Sequence, residues 1–373
     1  MHIDSSHHKP RGRSRRALAV AGLLAVSGLL LAGCSGSAEK NFDSGFSVTA
    51  AVGQIPASDV AERYDIVMAD LDGIAKIMGV ERTDDLQTWL PDMIAGPDTP
   101  IYLPLPELLQ QSAAGAGADT LGWNLADVDR FVTYSALPAS MTVIAGDLAE
   151  LPSTLTPVSD GVMTDVDGED YTVDPSQIGA VIDRMGRPTR FAHQGNRIAM
   201  SSSTDLAEAW VSNEESLADD ESVNAIAEAL DAYGASAAYI TQPAVFSGQT
   251  ILGPDASPSE AEAAFKEFDA LVPPDPYDLV GLGWAVVDGK PRWIATYHFL
   301  SDDAAKDGAQ VLRAVWEKGA TLTTQQRVSD LATVNDVVVK DSTVAVLLSP
   351  TDGTTASVLM QLLMQREIFF ATR

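Results

Sequence analysis

The chain reads as an α+β fold built on antiparallel sheets, and three observations carry that expectation. Runs of β-branched and aromatic residues come in pairs separated by short turns such as Asp-Gly and Gln-Gly-Asn, the signature of hairpins. Stretches with apolar residues at helical spacing lie between the pairs. Strands and helices do not alternate one for one, so the parallel sheet of a repeated βαβ chain is not expected.

Taken in order, the folded part starts near Phe46. Residues 64–71 form a short strand leading into a helix over 72–78, and the Pro- and Gly-rich stretch 91–106 should interrupt regular structure, as should a loop over 113–118. Strands follow over 131–137 and 141–145. A hairpin places Asp167-Gly168 between Val162-Met163-Thr164 and Tyr171-Thr172-Val173, because Asp-Gly tolerates the positive φ of a tight turn. A second pairs 189–192 with 197–201 about Gln194-Gly195-Asn196. Helices over 205–211 and 222–233 come next, the latter with Val223, Ile226, Ala227 and Leu230 on one face.

The later part repeats this order of events. A strand over 237–241 precedes a helix with Ser257 as cap and Pro258 as first residue, running to Leu271. Strands over 279–287 and 292–300 flank Asp288-Gly289, a helix spans 302–318, strands follow over 336–339 and 343–348, and a last helix runs from Thr354 to about Phe370.

Short sequences recur as well. Leu121-Gly122-Trp123 returns as Leu282-Gly283-Trp284, each ahead of a similar strand, Arg130-Phe131-Val132-Thr133-Tyr134 and Arg292-Trp293-Ile294-Ala295-Thr296-Tyr297. Further on, Ile198-Ala199-Met200 and Val344-Ala345-Val346 each lead to a polar run containing Asp205 or Asp352. Matching order at two separated places predicts two related α+β units, 46–220 and 221–373, packed side by side. The competing account is chance recurrence of common strand residues, and it prevails if the tryptophans fall on non-equivalent strands.

Ahead of the folded part, Lys9, Arg11, Arg13, Arg15 and Arg16 precede an apolar run over 17–33 that ends in Leu31-Ala32-Gly33-Cys34. A basic start, an apolar stretch and small residues before a cysteine read as a signal peptide, 1–33, rather than a retained span. The Leu-Ala-Gly-Cys ending resembles the lipobox of bacterial lipoproteins. That resemblance implies cleavage before Cys34, a diacylglycerol carrying palmitate-type chains on its thiol, and display on the outer face of the cell membrane. One acyl chain gives only reversible attachment, at about 0.8 kcal/mol per buried methylene, whereas two hold stably. Residues 34–45 then form a lipidated tether. Arg15-Arg16 leaves both general and twin-arginine export open. Scarce lysine, abundant alanine, valine and aspartate, and an Asp-rich helix entry after each late strand resemble envelope lipoproteins of actinobacteria. The resemblance supplies no catalytic residues.

The 373 residues include 52 acidic and 24 basic ones, a net charge of −28 at pH 7. Such a charge repels nucleic acid and anionic lipid head groups, so no nucleic-acid partner is expected. Cys34 is the single cysteine. Once lipidated it leaves no thiol for a disulfide, a zinc site or thiolate catalysis. Only His193 and His298 lie beyond the leader, which removes multi-histidine metal sites.

Several short motifs dissolve on inspection. Asp43-Ser44-Gly45 matches the aspartic-protease triplet but has no second copy to share a proton. Ser37-Ala38-Glu39-Lys40 matches Ser-x-x-Lys without its companion motifs. Asp165, Asp167, Glu169 and Asp170 could gather calcium, yet Gly168 is misplaced for an EF-hand loop, and solvated acids at a hairpin tip are expected instead. Asp219-Asp220-Glu221 suits a helix N-terminus. His193 and His298 are read as structural, there being no nucleophile elbow for either. The last helix, with Met360, Met364, Phe369 and Phe370, is apolar on most sides and should be buried, a methionine-rich binding surface being the other option.

No catalytic residue, cofactor or metal is therefore assigned. The expected role is a membrane-anchored extracytoplasmic lipoprotein that scaffolds an envelope complex or holds an apolar ligand between its halves, with an envelope protein or lipid as partner. The alternative is a hydrolase of cell-wall polymer or lipid. A pocket converging on His298 with a serine and an acid would favour the hydrolase, whereas a histidine sealed in the core would remove it.

Overall fold

A computed structural model describes residues 42–373, apart from 58–62, 96–98, 107–108, 111–121, 149, 178–185, 246, 248–254 and 256. The leader, Cys34, most of the tether and the loop expected over 113–118 lie outside the described residues. The first half contains α1 (Val48–Val52), β1 (Asp65–Asp70), α2 (Leu71–Met78), α3 (Leu86–Ala95), β2 (Val128–Ala136), β3 (Ala139–Gly146), β4 (Thr156–Ser159), β5 (Val162–Thr164), β6 (Arg190–Gln194), β7 (Arg197–Ser201) and α4 (Thr204–Ser212). The second contains α5 (Glu221–Ala232), β8 (Ala237–Thr241), β9 (Ala244–Val245), α6 (Pro258–Phe268), β10 (Tyr277–Val287), β11 (Lys290–Phe299), α7 (Asp302–Lys318), β12 (Ala332–Lys340), β13 (Thr343–Pro350), α8 (Ser357–Met364) and β14 (Ala371–Thr372).

The strands explain the layering. In β11, Trp293, Ala295, Tyr297 and Phe299 face one side and Ile294 the other, all buried, and β13 repeats this with Val344, Val346 and Leu348 against Leu347. Strands apolar on both faces need cover on both. Accordingly α2, α3, α7 and α8 pack on one face, and α1, α4 and α5 on the other. Helix α5 lies so near β10 that a Cβ on Gly281 would come within 2.5 Å of Ile226 Cγ2, so the glycine sets the helix-to-sheet distance. Asp231 of α5 in turn accepts the Val48 N–H at 2.6 Å and the Thr49 N–H at 3.0 Å, satisfying donors at the start of α1.

Twelve strands make one antiparallel sheet, in the order β12-β13-β11-β10-β8-β1-β2-β3-β7-β6-β5-β4, while β9 and β14 pair in parallel apart from it. The fold is α+β. About the β1–β8 pair the order repeats: β1-β2-β3-β7-β6 runs outward one way and β8-β10-β11-β13-β12 the other. Rather than packing as separate units, the halves share this one sheet, and the described residues belong to one compact unit. The expected boundary at 220/221 falls at Asp220, whose carboxylate caps α5 through the Val223 N–H at 2.9 Å.

Residue by residue, the expected repeat holds in one place and fails in another. Ile198–Met200 on β7 and Val344–Val346 on β13 occupy equivalent strands. The tryptophans do not: Trp123 lies ahead of β2 outside any strand, whereas Trp284 is within β10. Likewise Arg130–Tyr134 is on β2 and Arg292–Tyr297 on β11, which hold different places in the order. The alignment built on tryptophan is therefore wrong, although the strand order repeats.

Three local expectations need correction too. Val162–Thr164 pairs with β4 across Asp160-Gly161 and with β6, not with 171–173. Of two Asp-Gly steps, the one flanked by strand-competent residues on both sides made the turn. Pro91 sits inside α3, past its first turn, where it removes one intrahelical hydrogen bond without ending the helix. The last helix ends at Met364, after which Arg366 adopts a φ of 53°, and Ile368–Phe370 forms a short 3-10 turn.

Candidate functional site

Two places gather chemistry, both at the same end of the sheet. There β1 begins while β2 and β8 end, with Asp65 opposite Ser135 on one flank and Thr241 on the other. The loop after β8 is tied back to β1, since Gln242 Oε1 accepts the Tyr64 N–H at 2.9 Å. At this seam between the halves opens a cleft of about 730 Å³, within the roughly 300–1,000 Å³ of small-molecule sites.

The cleft draws on both halves. Tyr64 and Leu137 come from the first, and Tyr239, Val245, Met364 and Phe370 from the second. Leu137 is 93% exposed, Met364 68% and Val245 58%. Among the described residues nine large apolar side chains are exposed, and three of them converge here, which isolated surface residues would not do. Arg63 and Arg366 also line it, and among the described residues neither guanidinium forms an ion pair. Burial, then the charge of Asp220, pushes the Tyr64 phenol well up; burial, then a hydrogen bond to Asp65, does the same for Tyr239. Both phenols thus remain protonated donors.

The second place is a chain of hydrogen bonds through His298. The bulge between Tyr277 and Leu279 in β10 brings Asp278 to the end of β11. Its Oδ1 lies 2.7 Å from His298 Nδ1, and its Oδ2 accepts from Ser222 Oγ of α5 at 3.1 Å. On the other side of the imidazole, Nε2 lies 3.1 Å from Ser342 Oγ in the tight turn between β12 and β13. In neutral imidazole the Nδ1 proton faces the carboxylate, leaving Nε2 as acceptor for the hydroxyl. Burial works to raise the Asp278 pKa, but the hydrogen bond and charge of His298 and the Ser222 hydroxyl outweigh it, and the carboxyl titrates below its ordinary range. His298 is 6% exposed, while Ser342 is half-buried at the turn.

His298 thus meets both a serine and an acid, and it is also nearly buried. His193 has no such chain: among the described residues its Nε2 finds no partner. Sequence reasoning singled out His298 but not Asp278, Ser222 or Ser342. The available signal was a histidine on an apolar strand beside two hairpin ends, whose partners only the strand register reveals.

The acidic cluster is neither a cation cage nor a solvated tip throughout. Asp165 accepts the Thr189 N–H at 2.9 Å, and Asp170 pairs with the buried Arg190 at 2.8 Å while accepting the Thr204 N–H at the start of α4. Only Asp167 and Glu169 are exposed. Asp219 forms a capping box with Ser216, so the Asp-Asp-Glu run is structural as expected. Among the described residues no group of three His, Cys, Asp or Glu side chains is arranged to hold a metal ion, and no helix is long and apolar enough to cross a membrane. The last helix is buried through Leu359, Met360 and Leu362, while Met364 turns out into the cleft. The chain matches no family, no curated protein and no solved structure.

Proposed function

We propose that this chain is an extracytoplasmic lipoprotein, held on the outer face of the cell membrane through a lipidated Cys34, that binds an amphipathic ligand with an acyl chain and an anionic head in the cleft at the seam of its halves. The cleft carries this reading. Leu137, Val245 and Met364 offer apolar contact for a chain, and Arg63 and Arg366 offer charge for a head group within a protein of net charge −28. The basic, apolar and Leu-Ala-Gly-Cys segments in that order support the anchor and its location. A surface tether would keep the cleft within reach of envelope lipids.

The test is titration of the purified protein with a fluorescent fatty acid. Leu137→Asp and Met364→Asp should each weaken binding about tenfold or more, since burying one such side chain contributes about 1.5–3 kcal/mol. Saturable binding that both substitutions leave unchanged, or no binding at all, overturns the reading.

A further inference from the structure

We infer that Ser342, His298 and Asp278 form a separate nucleophilic site that hydrolyses neutral esters at the β12–β13 turn. The contacts run in the order acyl transfer requires: a hydroxyl on Nε2 at 3.1 Å, and a carboxylate on Nδ1 at 2.7 Å that fixes the tautomer and supports the imidazolium. Ser222 holds the second oxygen of Asp278, so the acid is positioned from both sides. The register places the three on different strands and a turn. His298 is on β11 opposite Thr343, Asp278 is in the bulge of β10, and Ser342 is anchored by its own carbonyl, which accepts the Phe299 N–H at 2.8 Å.

The turn also leaves a donor for charge that develops in the reaction. The ladder between β12 and β13 closes at Lys340 and Thr343, and the Ser342 N–H donates to no partner among the described residues. That N–H is available to an oxyanion on carbon bonded to Ser342 Oγ. Access is from the half-exposed side of the turn, and nearby Asp341 and Asp278 disfavour an anionic substrate, hence a neutral ester.

In the first step Ser342 Oγ bonds to the acyl carbon as its proton passes to His298 Nε2. The bond to the alkoxy group then breaks, and the alcohol leaves with that proton. Water next bonds to the acyl carbon and gives a proton to Nε2. The acyl–Ser342 bond breaks, the proton returns to Oγ, and a carboxylic acid is released.

The full chain is treated with an aryl fluorophosphonate, whose phosphorus a nucleophilic serine attacks with loss of fluoride, and the labelled residue is located by mass spectrometry. Label on Ser342, slowed at least a hundredfold by His298→Asn in a variant with an unchanged urea midpoint, supports the site. So does hydrolysis of p-nitrophenyl acetate that Ser342→Ala abolishes. The Ser342 substitution lies at a half-exposed turn and leaves the strands intact. Absence of label on Ser342 at saturating reagent, or label indifferent to His298→Asn, overturns the proposal. Neither result depends on the seam cleft.

Discussion

Replacing Asp170 with alanine strips the buried Arg190 of its charge partner, and the cost can be worked from the contacts. Arg190 is 3% exposed, and its Nε and Nη2 reach Asp170 Oδ1 at 2.9 and 2.8 Å. The same carboxylate accepts the Thr204 N–H at 2.6 Å and the Thr204 hydroxyl at 2.9 Å. After the change the guanidinium keeps Thr164 Oγ1 at 2.9 Å, Gly168 O at 2.7 Å and Thr204 Oγ1 at 3.0 Å. Removing one member of a buried pair costs about 3–5 kcal/mol. Asp170 is partly exposed, so water can enter its place and the lower end applies, about 3 kcal/mol. Urea unfolding followed by tryptophan fluorescence, with Trp210 on the same helix as Thr204, measures it. Arg190→Met in the Asp170→Ala background should recover part of the loss, because the orphaned charge leaves with it. A loss under about 1 kcal/mol, or a double variant less stable than the single one, refutes the argument.

Three more outcomes follow from the structure. Gly281→Val pushes a side chain into Ile226 and Thr296 and should cost about 1–3 kcal/mol by the same unfolding assay, whereas Gly289→Asn, in an open turn at φ 73°, should cost far less. Asp278→Asn should reduce acid sensitivity. A carboxyl depressed below its ordinary 3.8 contributes stability above that value and loses it as pH falls through the folded value, so stability of the parent should drop more steeply below about pH 4 than that of the variant. Cys34→Ser should abolish incorporation of radiolabelled palmitate and release the protein from the membrane fraction.

Much of the fold was legible along the chain, because local periodicity decides elements. The apolar stripe Val223, Ile226, Ala227 and Leu230 marked α5, and the Asp288-Gly289 and Gly195-Asn196 steps marked two real hairpins. What failed depended on distant partners. Asp167-Gly168 looked like the turn, yet Arg190, twenty residues beyond Asp170, draws that segment away and Asp160-Gly161 turns instead. The tryptophan repeat misled because three residues are too few to set a register. The site was less legible still. Leu137 reads as the end of a strand until its exposure at the seam is seen, and Ser342 meets His298 only through the pairing of β11 with β13.

The most direct test of the central claim is native mass spectrometry of the full-length protein extracted gently from its own membranes. An amphipathic anion bound one to one, and lost from the Leu137→Asp, Met364→Asp double variant while the mass of the Cys34 lipid stays, is the result the account predicts. A protein that emerges without ligand, or a ligand retained equally by the double variant, would contradict it.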